Sequence, residues 1–167
     1  MMSEGLNVAV LTVSDTRTMD TDTSGQFLET SLLESGHTLA DRTIVIDDVY
    51  QIRARLSAWI ADATVNAVLV TGGTGFSGRD STPEAVSPLF DKTIEGFVEV
   101  FRARSFDEIG SSTIQSRAIA GLANRTAIFC MPGSTGACKT AWNGLIRDQL
   151  DAAHRPCNFV KVLSGDL

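Results

Sequence analysis

The chain has 167 residues, 43% of them hydrophobic and 20% charged, with a net charge of −6. A length of this kind gives one domain, here 1–167, able to bury about 70% of the surface its unfolded form exposes, and the composition excludes disorder, low complexity and a fold that depends on staples. The acidic balance, with no Lys/Arg cluster beyond what a solvated helix face carries, excludes a nucleic-acid footprint, so an anionic ligand must be held locally.

The opening MMSEGLNVAVLTVS has no basic leader, and Thr12 interrupts its apolar run. It reads as neither a signal peptide nor a membrane span, which makes the cytoplasm the default compartment. Asn7 to Ser14 is the first predicted strand, ending in the polar Asp15-Thr16-Arg17. Thr23 or Ser24 opens a helix with Phe27, Leu28 and Leu32 at helical spacing and Gly36 in the C-cap position. Thr38 to Ile46 is a second strand, finishing at Asp47-Asp48, either of which can cap the next helix and its stripe of Ile52, Leu56, Trp59 and Ile60.

The third strand begins at Ala67 and runs into VLVTGGTGFSGRDSTP, Val68 to Pro83. A short apolar β-branched run halted by glycines is the pattern of a buried parallel strand. Gly72, Gly73, Gly75 and Gly78 permit positive φ and let backbone N–H groups surround an anion, for which phosphate is the obvious guest. Ser81 and Glu84 have capping-box spacing around Pro83, so a helix N-terminus adds its dipole there. Asp80 conflicts with an anion unless a divalent cation, Mg2+, lies between them. Two familiar signatures fail. Gly73, Gly75 and Gly78 spell the dinucleotide GxGxxG, but after the third strand and not the first. The GxxxxG of a P-loop has Arg79 where lysine belongs and Asp80 where Ser or Thr would hold magnesium.

A short helix to Leu89 precedes Ile94 to Ser105 and Thr113 to Asn124, which read as a packed helical insertion with Glu99 and Arg102 as a surface pair or a site-facing one, the surface pair being preferred on spacing alone. Thr126 to Met131 is the fourth predicted strand, followed by the small-residue loop Pro132-Gly133-Ser134-Thr135-Gly136. A final helix buries Cys138, Trp142, Leu145, Ile146 and Gln149 or Leu150, and Phe159 to Leu163 has the pattern of an edge strand. Cys130, Cys138 and Cys157 lack CxxC spacing and read as structural thiols; His37 and His154 read as isolated surface histidines, so zinc is not expected.

Alternating strands and helices imply an α/β fold, a three-layer α/β/α sandwich on a mostly parallel, doubly wound sheet. Ligands in such sheets sit beyond the carboxyl ends of the strands, where strand order reverses. The four strand ends bring Ser14-Asp15, Asp47-Asp48, Thr71-Gly72-Gly73-Thr74-Gly75 with Asp80, and Pro132-Gly133-Ser134-Thr135 to one edge. Two acids beside two small-residue loops suggest a phosphate and magnesium site, and nucleotidyl transfer more than binding alone.

TGGTGFSGRDSTPEA at Thr71 to Ala85, SDT at Ser14 to Thr16 and MPGST at Met131 to Thr135 resemble the MoaB/MogA family of molybdenum-cofactor biosynthesis, and GFVEVFRARSFDEIGSSTIQSRAIAG at Gly96 to Gly121 resembles its MoaB branch. The resemblance runs from about Asn7 to Phe159. It implies a molybdopterin-binding fold, assembly as homotrimers or homohexamers, and adenylylation of molybdopterin with ATP as co-substrate and Mg2+ as cofactor, releasing pyrophosphate. On this resemblance Asp80 is the catalytic aspartate and, with Asp47, the magnesium ligand. Thr71, Gly72, Gly73, Thr74 and Gly75 belong to the phosphate loop, and Ser14, Asp15, Pro132, Gly133 and Ser134 line the nucleotide or pterin pocket. Glu99, Ser116 and Arg117 match family positions near that cleft. Pro132-Gly133-Ser134-Thr135 departs from the PGxP of MogA-type members, and Val45-Ile46-Asp47-Asp48 lacks the proline of a VPDD-like segment. The rival reading is a non-catalytic molybdopterin-binding or assembly protein.

Overall fold

The computed structural model describes residues 5–166. Its strands form one six-stranded sheet in the order β2-β1-β3-β6-β5-β4. The central strands β1 (Asn7–Val13), β3 (Ala67–Thr71) and β6 (Thr126–Met131) are buried almost throughout, as strands covered on both faces must be. β2 (Thr38–Val45) is only half-buried, because it forms one edge. β2, β1, β3 and β6 run parallel, whereas β5 (Ile119–Ala123) is antiparallel to β6 and to the two-residue β4 (Lys92–Thr93).

Side chains alternate between two cores, as the pleat requires. On one face Val8 and Val10 of β1 meet α1 (Thr23–Glu34), α4 (Glu95–Ile109) and α5 (Thr135–Ala141), through Leu28, Leu32, Phe97, Phe101 and Cys138. Phe97 stands between Phe101 and Phe129, with ring centroids 5.9 and 5.3 Å away. On the other face Ala9 and Leu11 meet α2 (Val49–Ala61) and α3 (Thr82–Val86), through Ile52, Leu56, Trp59, Ala85 and Val86. Each large aliphatic side chain so covered contributes about 1.5–3 kcal/mol.

α1 ends as its sequence dictates. Gly36 takes φ +86°, the His37 N–H donates to the Leu32 carbonyl and the Gly36 N–H to that of Leu33, a Schellman arrangement. The last long helix begins as α5, widens into a π turn at Trp142–Ile146 and closes as α6 (Arg147–Gln149). Cys138, Trp142, Ile146 and Leu150 are all fully buried along it.

Several expectations are corrected. The sheet has six strands, not four, since Lys92–Thr93 adds β4 and the 113–124 segment, after the end of a tight helix at Gly110–Gln115, adds β5. IAGLA forms a strand because it pairs with β6 along its whole length, not through its own β-propensity. The tail is not an edge strand: Val160–Ser164 is a short helix, α7, burying Leu163 against the first core. Arg102 does not pair with Glu99; its guanidinium donates to the Ser116 carbonyl at 3.0 Å. His37 is no surface residue, because its Nδ1 accepts the Leu6 N–H at 3.1 Å and its half-buried ring meets Trp142 edge-on.

Sequence order leaves β1 first for β2 on one side and then for β3 on the other, so the strand order reverses between β1 and β3. The carboxyl ends of β1, β2, β3 and β6 lie on the same edge around that reversal.

Candidate functional site

At the reversal the chain of β3 passes close to its neighbours. Gly72 takes φ +103° and a Cβ there would collide with the Val13 carbonyl of β1; Gly73 takes φ +68°, and a Cβ there would collide with the Thr82 hydroxyl and stand 2.8 Å from Asp47 Oδ2. These two positions therefore require glycine. Gly75 has no left-handed backbone, but a Cβ on it would stand 2.7 Å from Asp80 Oδ2, and Gly78 has open space around it. The N–H groups of Gly73, Thr74, Gly75 and Phe76 have no acceptor among the described residues, while the Gly72 N–H donates to the Met131 carbonyl. Four free donors in succession are the kind of backbone that can hold an anion.

The two acids flank this loop. Asp47, only 6% exposed, accepts from the Ser81 N–H at 3.1 Å and from the Ser81 hydroxyl at 2.5 Å, both on Oδ1. Its neighbour Asp48 is the N-cap of α2, accepting from Tyr50 and Gln51, so the adjacent acids divide the work. Asp80 Oδ2 accepts the Ser77 N–H at 2.9 Å. Asp47 Oδ2 and Asp80 Oδ1 have no donor among the described residues. These two hard oxygens fit Mg2+, which usually takes one or two carboxylates and completes its shell with water and phosphate. No group of three His, Cys, Asp or Glu residues able to enclose a metal occurs among the described residues.

Serine 81 thus serves Asp47 and makes no cap hydrogen bond to α3, so the expected capping box does not form. Glu84 is drawn to Arg117, whose hydrogen bonds hold its carboxyl below the usual range. Arg117 also donates to the carbonyls of Thr74, Gly75 and Asp80, at 3.3, 2.9 and 3.1 Å, and its guanidinium lies 5.1 Å from the Phe76 ring centroid. It is a brace for the glycine loop. Ser116, beside it, is half-buried, and its hydroxyl has no partner among the described residues. Glu99 is exposed on α4 and joins none of these contacts.

Asp15 closes the β1 side. It takes the Asp47 N–H at 3.0 Å and two bonds of 2.9 Å from Arg79, and the Arg79 bonds, ahead of that N–H, lower its carboxyl to about 2. Ser14 Oγ accepts from the N–H groups of Thr16 and Arg17 and so shapes its own turn. From β6, Gly133 lies against Gly72, Pro132 receives the Thr71 hydroxyl at 2.9 Å, and Ser134 caps α5 through the Ala137 N–H. The sequence-predicted residues other than Glu99 therefore meet at one edge, Ser116 reaching it through the Arg117 N–H, which donates to the Thr74 carbonyl at 3.2 Å.

Three supporting residues escaped the sequence reading. Thr82 is fully buried and donates to the Gly72 carbonyl at 2.8 Å; Ser24 donates to the Gly133 carbonyl at 2.7 Å. Asp22, the N-cap of α1, takes the Thr12 hydroxyl and pairs with the buried Arg42. A hydroxyl at a helix start looks like a cap in sequence, and only its distant carbonyl partner shows otherwise. Burial, which pushes the thiol of Cys138 up to about 11 and that of Cys130 up as well, leaves both as packing groups.

Comparison with known proteins gives the family. Residues 9–152 match the family described as "Probable molybdopterin binding domain". The molybdenum cofactor biosynthesis protein B of Escherichia coli K12 is 58% identical over 152 residues, 91% of this chain and 89% of that protein. The protein of the same name from Bacillus subtilis is 48% identical over 142 residues, 84% of each. A crystal structure of a molybdenum cofactor biosynthesis protein B superposes with a TM-score of 0.85 at 47% identity, covering 87% of this chain and 91% of that one. With the family spanning both cores and every loop of the site, the chain belongs to the molybdopterin-binding-domain family, among the proteins of molybdenum cofactor biosynthesis that share the name protein B.

Proposed function

We propose that the chain binds molybdopterin and adenylylates it with ATP, releasing pyrophosphate. The observation that carries this reading is the run of unpaired N–H groups at Gly73 to Phe76, set between two carboxylates that each keep an oxygen free. Asp47 and Asp80 would hold Mg2+, which when bound neutralises charge on two anionic reactants. The backbone of Gly73, Thr74 and Gly75 would orient the nucleotide phosphates, with Thr82 and Arg117 fixing that backbone from behind. The loops Ser14-Asp15 and Pro132-Gly133-Ser134 would bound the space for the nucleotide and pterin. Attack by the pterin phosphate on the α-phosphorus requires no covalent enzyme intermediate, so holding both groups in line supplies most of the acceleration. Phe106, Ile109 and Ile114, exposed together on α4 and the turn after it, support a homo-oligomer.

The test is pyrophosphate release on mixing protein, molybdopterin and Mg-ATP, with Asp80→Asn alongside. Asparagine keeps the bond from Ser77, so turnover should fall by about 100-fold or more with little change in melting temperature. Pterin and ATP binding without pyrophosphate in the wild type would favour the non-catalytic reading, and equal loss of fold and turnover in the variant would remove Asp80 from the chemistry.

A further inference from the structure

Around the glycine loop most cations are spent on the backbone. Arg117 serves three carbonyls and Glu84, Arg53 serves the carbonyls of Ala85 and Glu84, and Arg17 serves that of Thr21. Arg79 differs. It stands between the open Gly78 and the candidate ligand Asp80, its side chain is 63% exposed, and both of its hydrogen bonds go to Asp15, itself 37% exposed. Solvent screens a pair as exposed as this one. Yet it is made with the planar fork of donors that also fits phosphate oxygens.

We infer that Arg79 is a polyphosphate-binding residue held in reserve by Asp15: on nucleotide binding the guanidinium leaves the carboxylate for phosphate oxygens at the neighbouring loop. The inference rests on the nucleotide reading above and names the side chain that reads the charge. Asp15, Asp47, Asp48 and Asp80 make this edge acidic, so an incoming polyphosphate needs a mobile cation, and Arg79 is the guanidinium here whose partner is exchangeable. Asp15 does not collapse when released, because the Asp47 N–H still holds its Oδ1 at 3.0 Å.

The test is calorimetric titration of the full chain with Mg-ATP and with magnesium pyrophosphate, adenosine serving as control. Arg79→Ala should weaken both phosphate ligands by about 10- to 100-fold and leave adenosine unchanged. Asp15→Asn, which keeps the acceptor for Asp47, should tighten them by about 2- to 5-fold. The deciding comparison is Arg79→Ala placed in the Asp15→Asn background. A residue that grips phosphate still costs about 10-fold or more there. A residue that only anchors or neutralises Asp15 costs nothing once that charge is gone, and a loss under about threefold overturns the inference while leaving the nucleotide reading intact. A wild-type chain that takes up neither phosphate ligand overturns both. Both side chains are solvated, so unchanged melting temperatures confirm that folding is not being measured.

Discussion

Gly73→Ala perturbs the site and the fold at the same point, and its cost can be worked from the geometry. At φ +68° an alanine pays about 1–2 kcal/mol for the left-handed conformation. Its Cβ collides with the Thr82 hydroxyl, which is fully buried and bonded at 2.8 Å to the Gly72 carbonyl; displacing it strands a buried polar group for about 1–3 kcal/mol. The reduced freedom of the unfolded chain returns about 0.4–1 kcal/mol. The net loss is about 1–5 kcal/mol, which for a domain of this size lowers the melting temperature by about 2–20 °C. Urea denaturation followed by circular dichroism reads it directly, with Gly78→Ala as the matched control, since nothing lies within 4 Å of its added Cβ and its backbone is not left-handed. That control should stay within about 1 kcal/mol of the parent. Equal stability of the two variants would refute the packing described for the glycine loop.

Arg117→Ala removes the brace from the carbonyls of Thr74, Gly75 and Asp80 and frees Glu84; a loss of about 2–3 kcal/mol is expected, with hydrogen exchange accelerated at residues 73–80 and not at β6. Burial lowers the His37 pKa from its ordinary 6.5, so the neutral ring is favoured in the fold; its contribution is full above 6.5 and is lost as pH falls through the lowered folded value. Melting temperature should therefore drop below pH 6.5 in the parent, and His37→Asn, an acceptor for the Leu6 N–H that does not titrate, should flatten that slope. An unchanged slope would show that another group governs it.

The four parallel strand ends were legible because Ser14-Asp15, Asp47-Asp48, Gly72-Gly73 and Pro132-Gly133 break strongly apolar runs, and no local alternative competes with such punctuation. Which of Asp47 and Asp48 capped α2 was not, since adjacent acids have equal claim until their directions are seen. β4 and β5 were hidden for a different reason. Lys92–Thr93 is too short to show a period, and Ile119–Ala123 is mostly small residues, with Gly121 kept bare because the Phe90 ring packs where its Cβ would be. Arg117 stood near the cleft only through family resemblance, because a lone arginine gives no sign that its partners are carbonyls forty residues away. Ser81-Glu84 was misread since both side chains found stronger partners outside α3.

The π turn at Trp142–Ile146 carries a consequence for how this helix tolerates change in length. Residues four apart drift by about 40° per step around a regular α-helix, so the line Cys138, Trp142, Ile146, Leu150 should have rotated out of the core well before its end. The wider turn winds back part of that drift, which is how all four stay covered. A π turn closes on one residue more than an α turn does, so a residue added or removed at Trp142–Ile146 can be taken up there, between the Ser134 cap at one end and the Phe159 N–H on the Gln149 carbonyl at the other.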